Sequence, residues 1–167
     1  MPGYVPPPSP LGPQVSQQMM YASWGTRVLG YLIDNFLVGA VMLVLYLVLG
    51  SLLAGMAHLG SENAASGICC LWLVLFVPAM LLVGLFNRVY LVSSRGCSIG
   101  QGVVKVRVVD GLGNFLTLGT AFIRLLAQMG LSLVPFGGLI DLLWPLWDER
   151  RQTLHDKAVG SYVINKG

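Results

Sequence analysis

Apolar residues gather in long unbroken runs along this chain, and the polar residues lie between them. The first run, residues 28–53, reads VLGYLIDNFLVGAVMLVLYLVLGSLL and carries Asp34 as its one carboxylate. About 20 apolar residues cross ~30 Å of hydrocarbon, and a helix is the open segment that satisfies its own backbone there. The run therefore predicts a first transmembrane helix. A second run, residues 68–90, predicts another. Pro78 lies inside it as a tolerated kink, and Arg88 sits near its far end, where it can snorkel. Residues 54–67 read as a connecting loop that contains His58 and Glu62 but no lysine or arginine.

Charge decides how the third apolar region, residues 116–147, is laid out. Arg95, Lys105 and Arg107 precede it, and Arg150, Arg151, Lys157 and Lys166 follow it. The positive-inside rule places the N-terminus, the central basic loop and the C-terminus in the cytoplasm, with the Lys/Arg-free loop outside. Both ends of 116–147 then lie on one side, so the region goes in and returns or lies along the interface. Val134-Pro135-Phe136-Gly137-Gly138 supplies the turn. Short helices near 118–133 and 138–147 result, and the second is too short for a full span. Trp144 and Trp147 fit an interfacial aromatic belt.

The polar remainder predicts small elements. Residues 103–109 alternate β-branched positions around Lys105 and Arg107, which reads as a strand, and 161–164 read as another. Such a pair is marginal alone and needs the helices as support. Thr153 is placed to cap a short helix that Gly160 closes. The expected fold is an all-α membrane protein. It has two transmembrane helices, a third apolar helical hairpin or re-entrant region, and a small cytoplasmic two-stranded β element. A proline-rich disordered tail is expected over 1–21, the membrane domain over 22–164, and a short tail over 165–167.

Composition sharpens this picture. Of 167 residues, 55% are hydrophobic and 10% charged, against roughly 25% charged in a soluble domain. The net charge of +3 is too small and scattered for nucleic-acid binding. The first 18 residues lack the basic and apolar regions of a signal peptide. Adjacent Cys69 and Cys70 point about 100° apart on a helix and, with Cys97, read as apolar packing. No nucleophile–base pair, metal-binding pair or phosphate loop is legible, and Gly100-x-Gly102 does not complete a dinucleotide fingerprint. No catalytic residue, metal or cofactor is expected, and the chain does not read as an enzyme.

Candidate chemistry rests on charges near or inside the apolar runs. Arg27 and Asp34 lie two helical turns apart on one face, separated by about 10 Å along the axis. A carboxylate at that depth is costly and should face protein or a wet cavity beside a partner. Structural pairing with Arg27 or Arg124 and handling of an ion or proton both remain open for Asp34. Arg124 and Asp141 are secondary intramembrane charges, and Arg124 is expected to pair with Asp34 or Asp141. Asp156 is expected to lock the tail against Arg27 or Arg107. His155, adjacent to Asp156 but not facing it, lacks the geometry of a catalytic dyad.

Three segments carry a resemblance: 24–34 (WGTRVLGYLID), 98–110 (SIGQGVVKVRVVD) and 147–160 (WDERRQTLHDKAVG). In this order they resemble the RDD family of bacterial multi-pass membrane proteins, named for one arginine and two aspartates. The resemblance covers about 22–164 and maps the three residues onto Arg27, Asp34 and Asp156. The family's usual Leu-Gly-Lys is Ile99-Gly100-Gln101 here, and the turn after Asp110 is slightly longer than usual. For function the resemblance implies transport, with cation/proton exchange suggested for some members. Two readings follow: a small transporter or transporter subunit for cations or protons using Asp34, or a non-transporting scaffold or accessory protein that recruits partners at the cytoplasmic face. The lipid bilayer is the expected partner, with a homo-oligomer or a membrane partner protein beside it.

Overall fold

The computed structural model describes residues 21–59 and 64–166. The expected 1–21 tail, the side chain of His58 and the side chains of Cys69 and Cys70 fall outside the described set, Tyr21 excepted. Helix α1 runs over Trp24–Leu59 and α2 over Ala64–Leu85. Helix α1 exceeds the apolar run that predicts it at both ends, and α2 begins four residues before its run. The expected loop 54–67 is mostly helix, because Ala54 to Leu59 holds no proline and the lone Gly55 is tolerated in a helix already nucleated by the run before it. A π turn over Phe86–Tyr90 leads from α2 directly into α3, Leu91–Arg95. The second long helix therefore continues to Arg95, past the expected end at residue 90.

Two stretches, Trp24–Leu52 and Leu73–Arg95, are long and apolar enough to cross a membrane. Only 11% of each apolar window is buried within the chain. Leu43, Val44, Leu47, Leu52, Val74 and Leu82 all point outward. Among the described residues, most of the apolar surface of these shafts is left uncovered within the protein.

Beneath the shafts lies a compact base. Helix α4, Ile99–Val103, packs against α1. It replaces the start of the strand expected from residue 103, because Ser98 and Gln101 form a capping box that commits the segment to a helix. Lys105 then turns the chain at a φ of 56°, and strand β1 occupies only Val106–Val109. It pairs antiparallel with β2, Tyr162–Asn165, with Val106 opposite Asn165 and Val109 opposite Tyr162. Tyr21 bridges to Ile164 on the other side of β2. Val106, Val108 and Val163 join Ala22, Val89, Val92, Leu116 and Ala121 in one buried core. The helices support the small sheet, as its size requires.

The third apolar region folds as two helices about the expected turn. Helix α5 spans Leu118–Leu133 and α6 spans Gly137–Leu143, followed by a 3-10 turn at Trp144–Leu146. Helix α7, Leu154–Val159, packs on α5. Thr153 caps its start, and Gly160 closes it in the left-handed conformation with φ of 64°.

Candidate functional site

The base holds two aspartates with different surroundings. Asp34 is 5% exposed. Its carboxylate accepts hydrogen bonds from Asn87 Nδ2 at 2.9 Å, the Ser98 hydroxyl at 2.5 Å and the Gly100 N–H at 2.7 Å. All three donors are neutral, and among the described residues Asp34 forms no ion pair. The expected positive partner is therefore absent at this site; Arg27 and Arg124 are both engaged elsewhere. The π turn matters here, since it carries Asn87, whose Oδ1 also accepts the Ile99 N–H at 3.0 Å. One asparagine thus stitches Asp34 to the start of α4.

Gly100 explains how α4 comes so close. A Cβ there would collide with the Gly30 carbonyl and would lie 2.9 Å from the Asp34 carboxyl carbon. Only a glycine lets its own N–H reach the carboxylate at this approach.

Asp156 is fully buried and bound by cations. Arg27 Nη1 donates to Oδ2 at 2.9 Å, and Arg124 reaches Oδ1 through Nε and Nη2, both at 2.8 Å. The Ser161 hydroxyl donates to Oδ1 at 3.0 Å. Arg27 also donates to the Val163 carbonyl at 3.2 Å, which ties α1 to β2. Burial alone would raise the Asp156 pKa, but Arg124, then His155 and Arg27, more than offset it and hold the carboxyl well below the usual range. The expected contact with Arg27 is present. Arg107 instead lies over the Phe115 ring. Arg124 corrects the expectation outright: it pairs with Asp156, not with Asp34 or Asp141, because α7 docks on α5 and delivers Asp156 to it.

Asp141 takes a different partner, His155. Its Oδ2 lies 2.6 Å from His155 Nδ1, and its Oδ1 accepts the His155 backbone N–H at 3.0 Å. His155 Nε2 lies 3.2 Å from the Thr153 hydroxyl and 3.8 Å from Asp156 Oδ1. The sequence shows His155 beside Asp156 but not its partner on α6.

These groups meet around one cavity of about 170 Å³. Arg27, Arg88 and Arg124 line it with Asp34, Asp141 and Asp156, and His155, Gln101 and Gln128 are among its other polar groups. The space suffices for several waters. Asn87, Ser98 and Gly100 are the site residues that sequence reading missed. A polar Asn87 next to Arg88 inside an apolar run was the available signal. Among the described residues, no cluster of three or more His, Cys, Asp or Glu side chains is placed to hold a metal ion.

Two long apolar helices on a base whose arginines and aspartates face a common cavity define a helical protein of membrane character. Residues 21–160 match the RDD family, and the chain belongs to that family. It is similar to the "Proline-rich antigen" of Mycobacterium leprae (strain TN), with 30% identity over 157 residues, covering 86% of this chain and 61% of that protein. It is also similar to the "Proline-rich antigen homolog" of Mycobacterium tuberculosis (strain ATCC 25618 / H37Rv), with 35% identity over 80 residues, covering 47% of this chain and 32% of that protein. The matches thus span less than two thirds of these relatives' own lengths. No solved structure matches the chain.

Proposed function

We propose that this chain is a multi-pass protein of the cell membrane in which α1 and the continuous α2–α3 helix cross the bilayer. The N-terminus, the base and the C-terminus face the cytoplasm, following the Lys/Arg distribution. In this reading the base is a small transporter or transporter subunit for cations or protons. One observation carries it: Asp34 borders a polar cavity, and its negative charge is met by three neutral donors rather than a cation. An incoming cation would meet a carboxylate held by dipoles alone, with no resident cation to displace. Two spanning helices enclose little by themselves, so a pathway would need a second copy or a partner protein.

The test is flux in vesicles reconstituted with the purified protein. Asp34→Asn keeps the shape and removes the charge. Cation-coupled proton flux should fall to the background of empty vesicles, while thermal unfolding shows the variant still folded. Unchanged flux from a folded Asp34→Asn protein rejects the reading.

The closed Arg27–Asp156–Arg124 set favours a second reading, because saturated ion pairs of this kind fix a fold without moving anything. On that reading the chain is an accessory or scaffold protein that recruits partners at the cytoplasmic face. A stable partner co-purifying with a chain that shows no flux alone would select it. No enzymatic role is proposed.

A further inference from the structure

We propose that the groove around Arg88 binds the phosphate of an anionic lipid headgroup, with an acyl chain lying over Leu125, Met129 and Leu133. The proposal rests on the reading that α2–α3 spans a bilayer.

Three arginines face the base cavity, and two of them are spent on Asp156. Arg88 is the exception. Among the described residues it forms no ion pair. Its Nη1 donates to Gln128 Oε1 at 2.9 Å and its Nη2 to Asn35 Oδ1 at 3.4 Å. Its guanidinium carbon sits 5.3 Å from the centre of the Tyr31 ring. These neutral groups orient the guanidinium without cancelling its charge. Of its five N–H donors, two are used by Gln128 and Asn35, which leaves a fork of the kind that matches phosphate oxygens.

The surroundings select the source of the phosphate. Arg88 opens onto a second cavity of about 290 Å³, between α5 and the π turn. Arg88, Gln128, Ser132 and Tyr31 give it polar groups, and Leu125, Met129 and Leu133 form its apolar wall. Met129 is 48% and Leu133 87% exposed, so this wall faces outward along the apolar surface. A cation at one end of an outward-facing apolar groove is complementary to an amphiphile with an anionic head. A soluble phosphate would make no use of the apolar wall. An arginine without a carboxylate partner inside a membrane-spanning helix is also costly near lipid, and an anionic headgroup offsets that cost.

The full-length protein, purified in a neutral detergent, is titrated separately with phosphatidylglycerol, with phosphatidylcholine of the same chains and with inorganic phosphate. Native mass spectrometry counts bound lipid, and thermal unfolding follows stabilisation. Phosphatidylglycerol should be retained in preference to phosphatidylcholine, and Arg88→Gln should weaken its binding about tenfold. Ser132 lines the same groove, so Ser132→Glu, which sets a competing carboxylate beside Arg88, should give the same loss. If Arg88→Gln fails to fold, Ser132→Glu decides alone. Equal retention of the two lipids, or equal retention by wild type and the folded variant, overturns the site. Stabilisation by inorganic phosphate as strong as by phosphatidylglycerol overturns the lipid assignment. Alkaline extraction of native membranes checks the spanning reading separately: release of the protein sinks that reading, whereas lipid parity in membrane-retained protein sinks the groove alone.

Discussion

Asp34 and Asp156 border the same cavity and are both buried, yet the chain holds them by opposite means. Asp156 is met by two guanidiniums, so removing its charge strands two cations. Asp34 is met by an amide, a hydroxyl and a backbone N–H. Its loss would strand dipoles, which costs far less. Each aspartate is also tied to a capping box of a short helix. Asp156 is a member of its box, as the third residue after Thr153, whereas Asp34 docks onto the Ser98 box from another helix. One aspartate therefore belongs to the frame of the base. The other joins α1 to the base through neutral donors, and it is this contact on which the proposed transport role rests.

The largest expected effect comes from removing the framed charge. Asp156→Asn leaves Arg27 and Arg124 buried without their carboxylate and should cost about 3–5 kcal/mol in unfolding experiments. Acid titration of the wild type reads the same interaction. The folded pKa of Asp156 is depressed, so its contribution is full above the ordinary carboxylate value near ~3.9 and is lost as pH falls below it. Stability of the wild type should drop steeply below that pH, and the Asn variant should show a shallower drop. Equal slopes, or an Asn variant as stable as wild type at neutral pH, would show that the ion set does not hold the base.

This division was only partly legible in the sequence. The apolar runs gave the two long helices and the pair of shorter helices about the 134–138 turn, because run length and a Pro-Gly break are local properties. Thr153 as a cap and Gly160 as a closing residue were also local readings that the structure bears out, and the two short strands do pair. The pairings were not local. Arg124 meets Asp156 across 32 positions, and Asn87 meets Asp34 across 53. Such contacts follow from which helix docks on which, and a charge count cannot rank them. Only the start of the strand expected from residue 103 was displaced, since Ser98 and Gln101 carry a capping-box pattern that commits Ile99–Val103 to a helix, while Val106–Val109 form the strand. The π turn left no pattern at all.

The docked aspartate can be disturbed without touching its charge. Gly100→Ala places a methyl group against the Gly30 carbonyl and the Asp34 carboxyl, so α4 must retreat from α1. Overpacking of this kind costs about 1–3 kcal/mol. The loss should exceed that of Gly102→Ala, where the nearest atom to a new Cβ is the Cys97 sulfur at 3.6 Å. If both variants unfold at the same temperature, the close approach that delivers the Gly100 N–H to Asp34 is not what positions α4.

The finest distinction lies between the two caps. Thr153→Ala removes a hydroxyl that accepts the Asp156 N–H at 3.2 Å, a loss of about 1 kcal/mol for an N-cap. Asp156 keeps both guanidiniums, so its own hold is little changed. Ser98→Ala removes the equivalent cap, which accepts the Gln101 N–H at 3.3 Å, and also strips the 2.5 Å donor from Asp34. A hydrogen bond to a carboxylate is worth more than a neutral one, so this variant should lose about 1 kcal/mol beyond its partner. The excess should disappear when both cap variants are remade on an Asp34→Asn background, where the charge is already gone. An excess that survives there would mean that Ser98 stabilises α4 alone, and the picture of Asp34 as a charge docked on a neutral cap would fail.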